Sequence, residues 1–190
     1  AGEGWDSPEL VETDDTGHVL SWDVSSDANG NAIAVWAQSD GIRNNILANR
    51  YVPGEGWGEA EPIETSDGNA ATPKVSMTRE GPALAVWSQF DGVSYSVYSS
   101  SFSAGTGWDD PVLIEEFTGQ GESAAIATGG GGTAIAVWLQ YDGTMYRTCA
   151  NVYNAPDETP PVLTVDSPIS GTTTDVPAVT VTGTTEPGVV

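Results

Sequence analysis

Three short stretches of this sequence place an indole and a carboxamide two residues apart: Trp36 and Gln38, Trp87 and Gln89, Trp138 and Gln140. On an extended strand, residues i and i+2 point to the same face. Each pair could therefore stack its ring on the C–H face of a sugar while the amide bonds a hydroxyl. The same pairs also suit an interior role, with the Trp packed between sheets and its N–H satisfied by an acceptor. A second set, Trp5, Trp57 and Trp108, follows a glycine each time. It falls where one strand turns into the next, nearer a rim, and this makes Trp57 and Trp108 candidate glycan platforms.

Chemistry that depends on imidazole or thiolate is poorly provided for. His18 is the one histidine and Cys149 the one cysteine, so a histidine triad, a multi-histidine metal site, a disulfide framework and a paired-cysteine zinc motif all lack their parts. Cys149 reads as a small buried residue of a strand. Paired carboxylates can hydrolyse a glycosidic bond, but 27 Asp and Glu residues offer too many pairs to single one out. Calcium is a cofactor the acidic segments could take, at Asp14-Asp15, Asp23, Asp27, Asp109-Asp110 or Glu115-Glu116, yet none has the spacing of a calcium-binding helix-loop-helix. Metal ligands stay unassigned, and Glu115 and Glu116 read as a solvated strand end. Gly129 to Gly132 lies between strands, not at a helix start, and is no phosphate loop.

These residues need elements to position them, and bulk composition bounds what those can be. A chain of 190 residues with 38% hydrophobic residues has enough apolar surface for a core. Five Lys and Arg against 27 acids leave a formal charge of −22, which repels phosphate backbones and anionic lipid. Nucleic acid is thus a poor partner. No run approaches the ~20 apolar residues of a spanning helix, so membrane insertion is not expected.

The positioning elements repeat. Ala-Val-Trp recurs at residues 34–36, 85–87 and 136–138, roughly 51 residues apart, followed each time by Asp-Gly at Asp40-Gly41, Asp91-Gly92 and Asp142-Gly143. Val11-Glu12, Ile63-Glu64 and Ile114-Glu115 follow Trp5, Trp57 and Trp108 at one fixed distance. Apolar residues alternate within a unit, and Gly, Pro, Asn and Asp punctuate it every eight to twelve residues, which is an all-β pattern. Four strands per unit follow. The first centres on Val24, Val75 or Ile126; the second runs from Asn31 to Gln38 and its copies, apolar on both faces as a strand covered on both sides must be. The third ends at Tyr51, Phe102 or Tyr153, and the fourth is the Pro-rich piece ending at Glu12, Glu64 or Glu115. Asp-Gly between the second and third is a strong hairpin signal.

The pattern Gly-Asn-Ala-Ile-Ala-Val-Trp-x-Gln-x-Asp-Gly (Gly30 to Gly41), then Ile46 to Tyr51 and Gly54 to Trp57, resembles tandem repeats of large secreted prokaryotic surface proteins. Those repeats look like four-stranded blades of sialidase-like and lectin-like β-propellers. The resemblance implies three propeller-like blades over residues 1–154 (units of about 13–64, 65–115 and 116–154), with residues 1–12 as a stray fourth strand. The strict Asp-box of sialidases is absent, and Arg43, Arg50, Arg79 and Arg147 do not form the arginine cluster of that chemistry. Propellers typically close with four to eight blades, so three blades point to further repeats, an open stack, or a homo-oligomer in which two chains complete a ring of six.

From residue 155 a linker leads into Thr- and Val-rich sequence, Thr159 to Gly171 and Val176 to Gly188, that resembles the opening of a bacterial immunoglobulin-like domain. Such a sandwich takes ~100 residues, so this segment is expected to be incomplete or to donate strands to a neighbour through residues 159–190. The expected function is a non-enzymatic, secreted or cell-surface binding or assembly module for a glycan or surface protein. The alternative is a portion of a secreted glycoside hydrolase or sialidase-like enzyme with its catalytic residues elsewhere.

Overall fold

The computed structural model describes residues 4–13 and 17–155, together with the backbone of 164–167 and 182–184. The chain divides into two compact units, Ala1–Ala155 and Pro156–Val190. The first unit is all-β and built of three antiparallel sheets. Strands β1 (Val19–Ser26), β2 (Ala32–Ser39), β3 (Asn44–Val52), β4 (Gly56–Trp57) and β5 (Glu61–Pro62) form the first. The second comprises β6 (Ala70–Met77), β7 (Ala83–Phe90), β8 (Tyr95–Ser103), β9 (Gly107–Trp108) and β10 (Val112–Leu113), and the third β11 (Gly121–Thr128), β12 (Thr133–Tyr141) and β13 (Tyr146–Asn154). In the second unit, β14 (Thr164–Ser167) pairs antiparallel with β15 (Thr182–Thr184). The rest of the expected immunoglobulin-like segment, and with it strand donation through 159–190, lies outside the described residues.

The Asp-Gly hairpins form as their chemistry dictates. One carboxylate oxygen of Asp40 accepts the backbone N–H groups of Ile42 and Arg43, both at 2.8 Å. Asp91 does the same for Val93 and Ser94 at 2.7 and 2.8 Å, and Asp142 for Thr144 and Met145 at 2.9 and 3.0 Å. The following glycines take φ of +89°, +101° and +94°, a region costly for other residues.

The fourth strand departs from expectation. Instead of one continuous strand it is two dipeptides on each third strand: β4 and β5 both pair with β3, β9 and β10 both with β8, with a one-residue shift of register between them. The inserted residue bends the piece, and beyond each second dipeptide the N–H groups of Ile63 and Ile114 bond the Ile46 and Val97 carbonyls at 2.9 and 3.0 Å. Residues 5–12, expected as a stray fourth strand, form none. The third sheet accordingly ends at β13, whose outer edge carries no strand among the described residues.

The sheets stack with the first strand of each against the first and second strands of the one before it. Ile33, Val35 and Ala37 of β2 pack with Val75, Met77, Ala85 and Trp87 of the second sheet. Val86 and Val97, which β7 and β8 turn toward the third sheet, pack with Ala124, Ala136 and Trp138. Strand β7, covered on both sides, is buried along Ala83–Gln89, as an apolar-on-both-faces strand should be. Its counterpart β12 is not: burial alternates, and Ile135, Val137 and Leu139 are exposed. Nothing described covers that face.

The first strands are tied across the stack by side chains that accept from a neighbour's edge amides. Asp23 accepts the Val75 N–H and Ser25 the Met77 N–H, each at 3.0 Å, and Ser76 accepts the Thr128 N–H at 3.0 Å.

Each linker into a sheet closes against the end of the second strand, where Ser39, Phe90 and Tyr141 donate to the carbonyls of His18, Asn69 and Gln120. A Cβ at Gly17, Gly68 or Gly119 would stand 2.1, 1.7 or 2.0 Å from the Ser39, Phe90 or Tyr141 carbonyl oxygen. Only glycine fits there. Gly68→Ala is expected to lower the unfolding free energy by about 1–3 kcal/mol from the clash, measured by urea denaturation. Gly92→Ala, in open space at positive φ, should cost about 1–2 kcal/mol from backbone strain alone.

Candidate functional site

The indole and carboxamide pairs hydrogen-bond to one another. Trp36, Trp87 and Trp138 are 4%, 0% and 3% exposed. Their Nε1–H groups donate to Oε1 of Gln38, Gln89 and Gln140 at 2.8, 2.9 and 2.9 Å. The amide nitrogens of Gln38 and Gln89 then donate to the Gly17 and Gly68 carbonyls at 3.3 and 2.7 Å. A ring enclosed in this way has no face open to a sugar. All six side chains are interior ties, and as glycan contacts they are corrected here: the i, i+2 geometry served bonding within the strand.

The rim tryptophans are placed differently. The strand ends define two rims, one holding the Asp-Gly hairpins and the other the turns between third and fourth strands. On the second rim, Trp57 and Trp108 are half-buried, each opposite an aromatic of the third strand. Trp57 meets Tyr51 edge-on, with centroids 5.6 Å apart and planes at 62°; Trp108 meets Phe102 at 5.3 Å and 54°. Arg50 lies 5.9 Å from the Phe102 centroid, linking the first sheet to the second pair. Trp5, the third member in sequence, is fully exposed.

The first rim carries a polar recess of roughly 440 Å³, lined by Gln38, Asp40, Arg43, Asn45 and Glu64 above Leu47 and Pro62. Arg43 is ion-paired with Asp67 and bonds Asn45 at 2.8 Å. The Arg43 N–H and the Asn45 amide hold the Asp40 carboxyl down at about 2. In the equivalent turn of the third sheet, the Thr144 hydroxyl and Arg147 hold Asp142 well below the usual carboxylate range.

Glu64 and Glu115 are the residues that sequence reasoning missed. Glu115 was expected at a solvated strand end; it is 6% exposed, and Glu64 8%. Oε2 of each, buried, meets no hydrogen-bond partner among the described residues. Burial pushes both carboxyls above their ordinary value of 4.5, against the opposing pull of Arg43 on Glu64 and of Ser96 on Glu115. Their recurrence at the repeat period was the available signal, since a merely solvated Glu has no reason to recur in register.

Three of the acidic residues considered for calcium have partners within the fold. Asp27 accepts the N–H groups of Asn29 and Asn31 at 2.8 and 2.9 Å within its turn, Asp23 ties two sheets, and Asp109 accepts from the Ser101 hydroxyl. Asp14-Asp15 lies outside the described residues. Among the described residues no three His, Cys, Asp or Glu side chains gather to hold a metal ion. Cys149, expected to be buried, is half-buried on β13.

No family model and no curated protein matches this chain. Among solved structures, an endo-arabinase from Bacteroides thetaiotaomicron VPI-5482 is similar with a TM-score of 0.47 and 15% identity, over 75% of this chain and 56% of that one. The match thus spans little more than half of the arabinase.

Two outcomes follow from this geometry. Gln89→Ala strips the buried Trp87 N–H of its acceptor and should destabilise the fold by about 1–3 kcal/mol, read from chemical unfolding. Glu64 and Glu115 have raised folded pKa values, so the folded state holds their protons longer than the unfolded chain does, and stability declines as pH climbs from about 4.5 through the folded values. Glu64→Gln and Glu115→Gln should therefore raise the urea midpoint at pH 7 and lose that advantage below about pH 4. A gain of the same size at both pH values would contradict the burial argument.

Proposed function

We propose that this chain is a non-enzymatic extracellular or cell-surface module of propeller-like blades that binds glycan along the rim carrying Trp57 and Trp108. The observation that carries this reading is a repeated placement: a half-buried indole set against an aromatic of the third strand, edge-on to Tyr51 in the first sheet and tilted at 54° to Phe102 in the second. An aromatic fixed by its neighbour loses little freedom on stacking against a sugar, and equivalent contacts one sheet apart suit a polymer that engages several at once. The extracellular setting rests on the likeness of the repeats to those of secreted surface proteins, and the net charge of −22 favours an uncharged or cationic partner.

The test is glycan-array screening followed by titration of the best polysaccharide. Trp57→Ala and Trp108→Ala should each weaken binding about tenfold or more, with unfolding midpoints recorded to separate lost contact from lost fold. Unchanged affinity in the double variant would remove the rim from consideration. Hydrolysis of a reporter glycoside by this chain would replace the reading with its rival, a portion of a secreted glycoside-active enzyme.

A further inference from the structure

The two ends of the sheet stack are, residue for residue, the two halves of an interface that the chain already makes twice internally. On the third sheet, Ile135, Val137 and Leu139 of β12 are exposed at 52%, 38% and 37%. Their counterparts in the repeat are Ile33, Val35 and Ala37 of β2 and Leu84, Val86 and Ser88 of β7, all of them buried. On the first sheet the opposite face is bare: Leu20, Trp22 and Val24 of β1 are 61%, 70% and 53% exposed, whereas the counterparts of Trp22, Pro73 and Ala124, are buried against the preceding sheet.

The open edge tells the same story. Third strands β3 and β8 carry fourth-strand pieces, with Trp57 opposite Tyr51 and Trp108 opposite Phe102. On β13 the equivalent residue, Tyr153, has no such partner among the described residues, while Trp5, the equivalent indole, is fully exposed. Within segment 5–12, Val11 already occupies a definite place. Asn49 Nδ2 of the first sheet donates to the Val11 carbonyl at 2.8 Å, just as Asn151 Nδ2 of the third sheet donates to the Ile114 carbonyl, which follows β10 of the second, at 2.9 Å. Val11 therefore sits on the first sheet as Ile114, which follows a fourth strand, sits on the third.

We propose that a second copy of this chain docks head to tail: its segment 5–12 adds to the edge of β13, Trp5 against Tyr153, and its first sheet covers Ile135, Val137 and Leu139. Strand addition supplies main-chain bonds and the alternate side chains supply the apolar contact. Because the Val11 position is fixed by Asn49, pairing of the edge brings the first sheet of the partner into the same stacking relation that joins the first sheet to the second and the second to the third. Two copies satisfy each other reciprocally and close a ring of six sheets, the closed symmetric arrangement that a head-to-tail contact needs if it is not to run on as a fibre. At this junction Ala125 and Ala127 stand where Asp23 and Ser25 accept from a neighbour's amides, so it rests on apolar contact and strand pairing, and salt should strengthen it by screening the charge of −22. The inference rests on the propeller-like part of the reading above and not on glycan binding; assembly lost with glycan affinity kept would sink this inference alone.

Sedimentation equilibrium of the full chain from micromolar to hundreds of micromolar, at low and high salt, is expected to show a dimer that salt favours. The discriminating step uses two surface variants. Val137→Asp/Leu139→Asp blocks the tail face, Trp5→Ala/Trp22→Asp blocks the head, and circular dichroism verifies that each folds. Neither should self-associate, and a mixture should recover a complex through the one intact interface. A wild-type chain that stays monomeric throughout overturns the proposal, as does either variant remaining a homodimer, which would mean the contact is head to head or tail to tail.

Discussion

Everything in the first unit hangs on burying one indole per sheet without stranding its N–H. Trp36, Trp87 and Trp138 are the largest apolar surfaces of their second strands, and an unpaired donor in such a place costs about as much as the burial gains. Gln38, Gln89 and Gln140 remove that cost from two residues away, on the same face of the same strand. Because the acceptor is local, the tie forms with the strand and needs no particular neighbour. That independence lets one unit be repeated and stacked.

A second consequence concerns where variation can enter. The close approach at Gly17, Gly68 and Gly119 joins each linker to the strand that holds the Trp–Gln tie, so sheet and linker behave as one body. The rims are freer. Asn49 of the first sheet and Asn151 of the third donate to the Val11 and Ile114 carbonyls, whereas Ser100, at the equivalent place in the second, donates to Asp109 of its own sheet, as Asn49 also does to Gly58. The tie within the sheet is kept where the side chain shortens, and the longer reach belongs to asparagine.

Much of this was legible in the sequence, for a physical reason in each case. Asp-Gly at residues 40–41 specifies a hairpin because the carboxylate and the positive φ are properties of those two residues alone. Alternation marked β1, β6 and β11 because successive residues of a strand point to opposite faces, and in these strands the two faces differ in polarity. What escaped was tertiary. Trp36 and Gln38 share a face whether they meet a sugar or each other, so spacing could not choose between the roles. Glu115 looked solvated because acidic residues at strand ends usually are, and its burial depends on Ser96 and Val97 of β8 and on Gly121 of the next sheet. Segment 5–12 has the composition of a fourth strand, but a strand exists only where an edge receives it.

The burial of β7 on both faces, against one-sided burial of β12, also sets an order of opening. In a linear stack each sheet is stabilised by nearest neighbours, so the middle layer draws on two contacts and the terminal layers on one. Amide protection should then grade along the chain, greatest at residues 83–90 and least along β13, whose outer edge carries no strand among the described residues. Closing the stack end to end would erase that gradient, giving every layer the thermodynamic standing that only the middle one has alone.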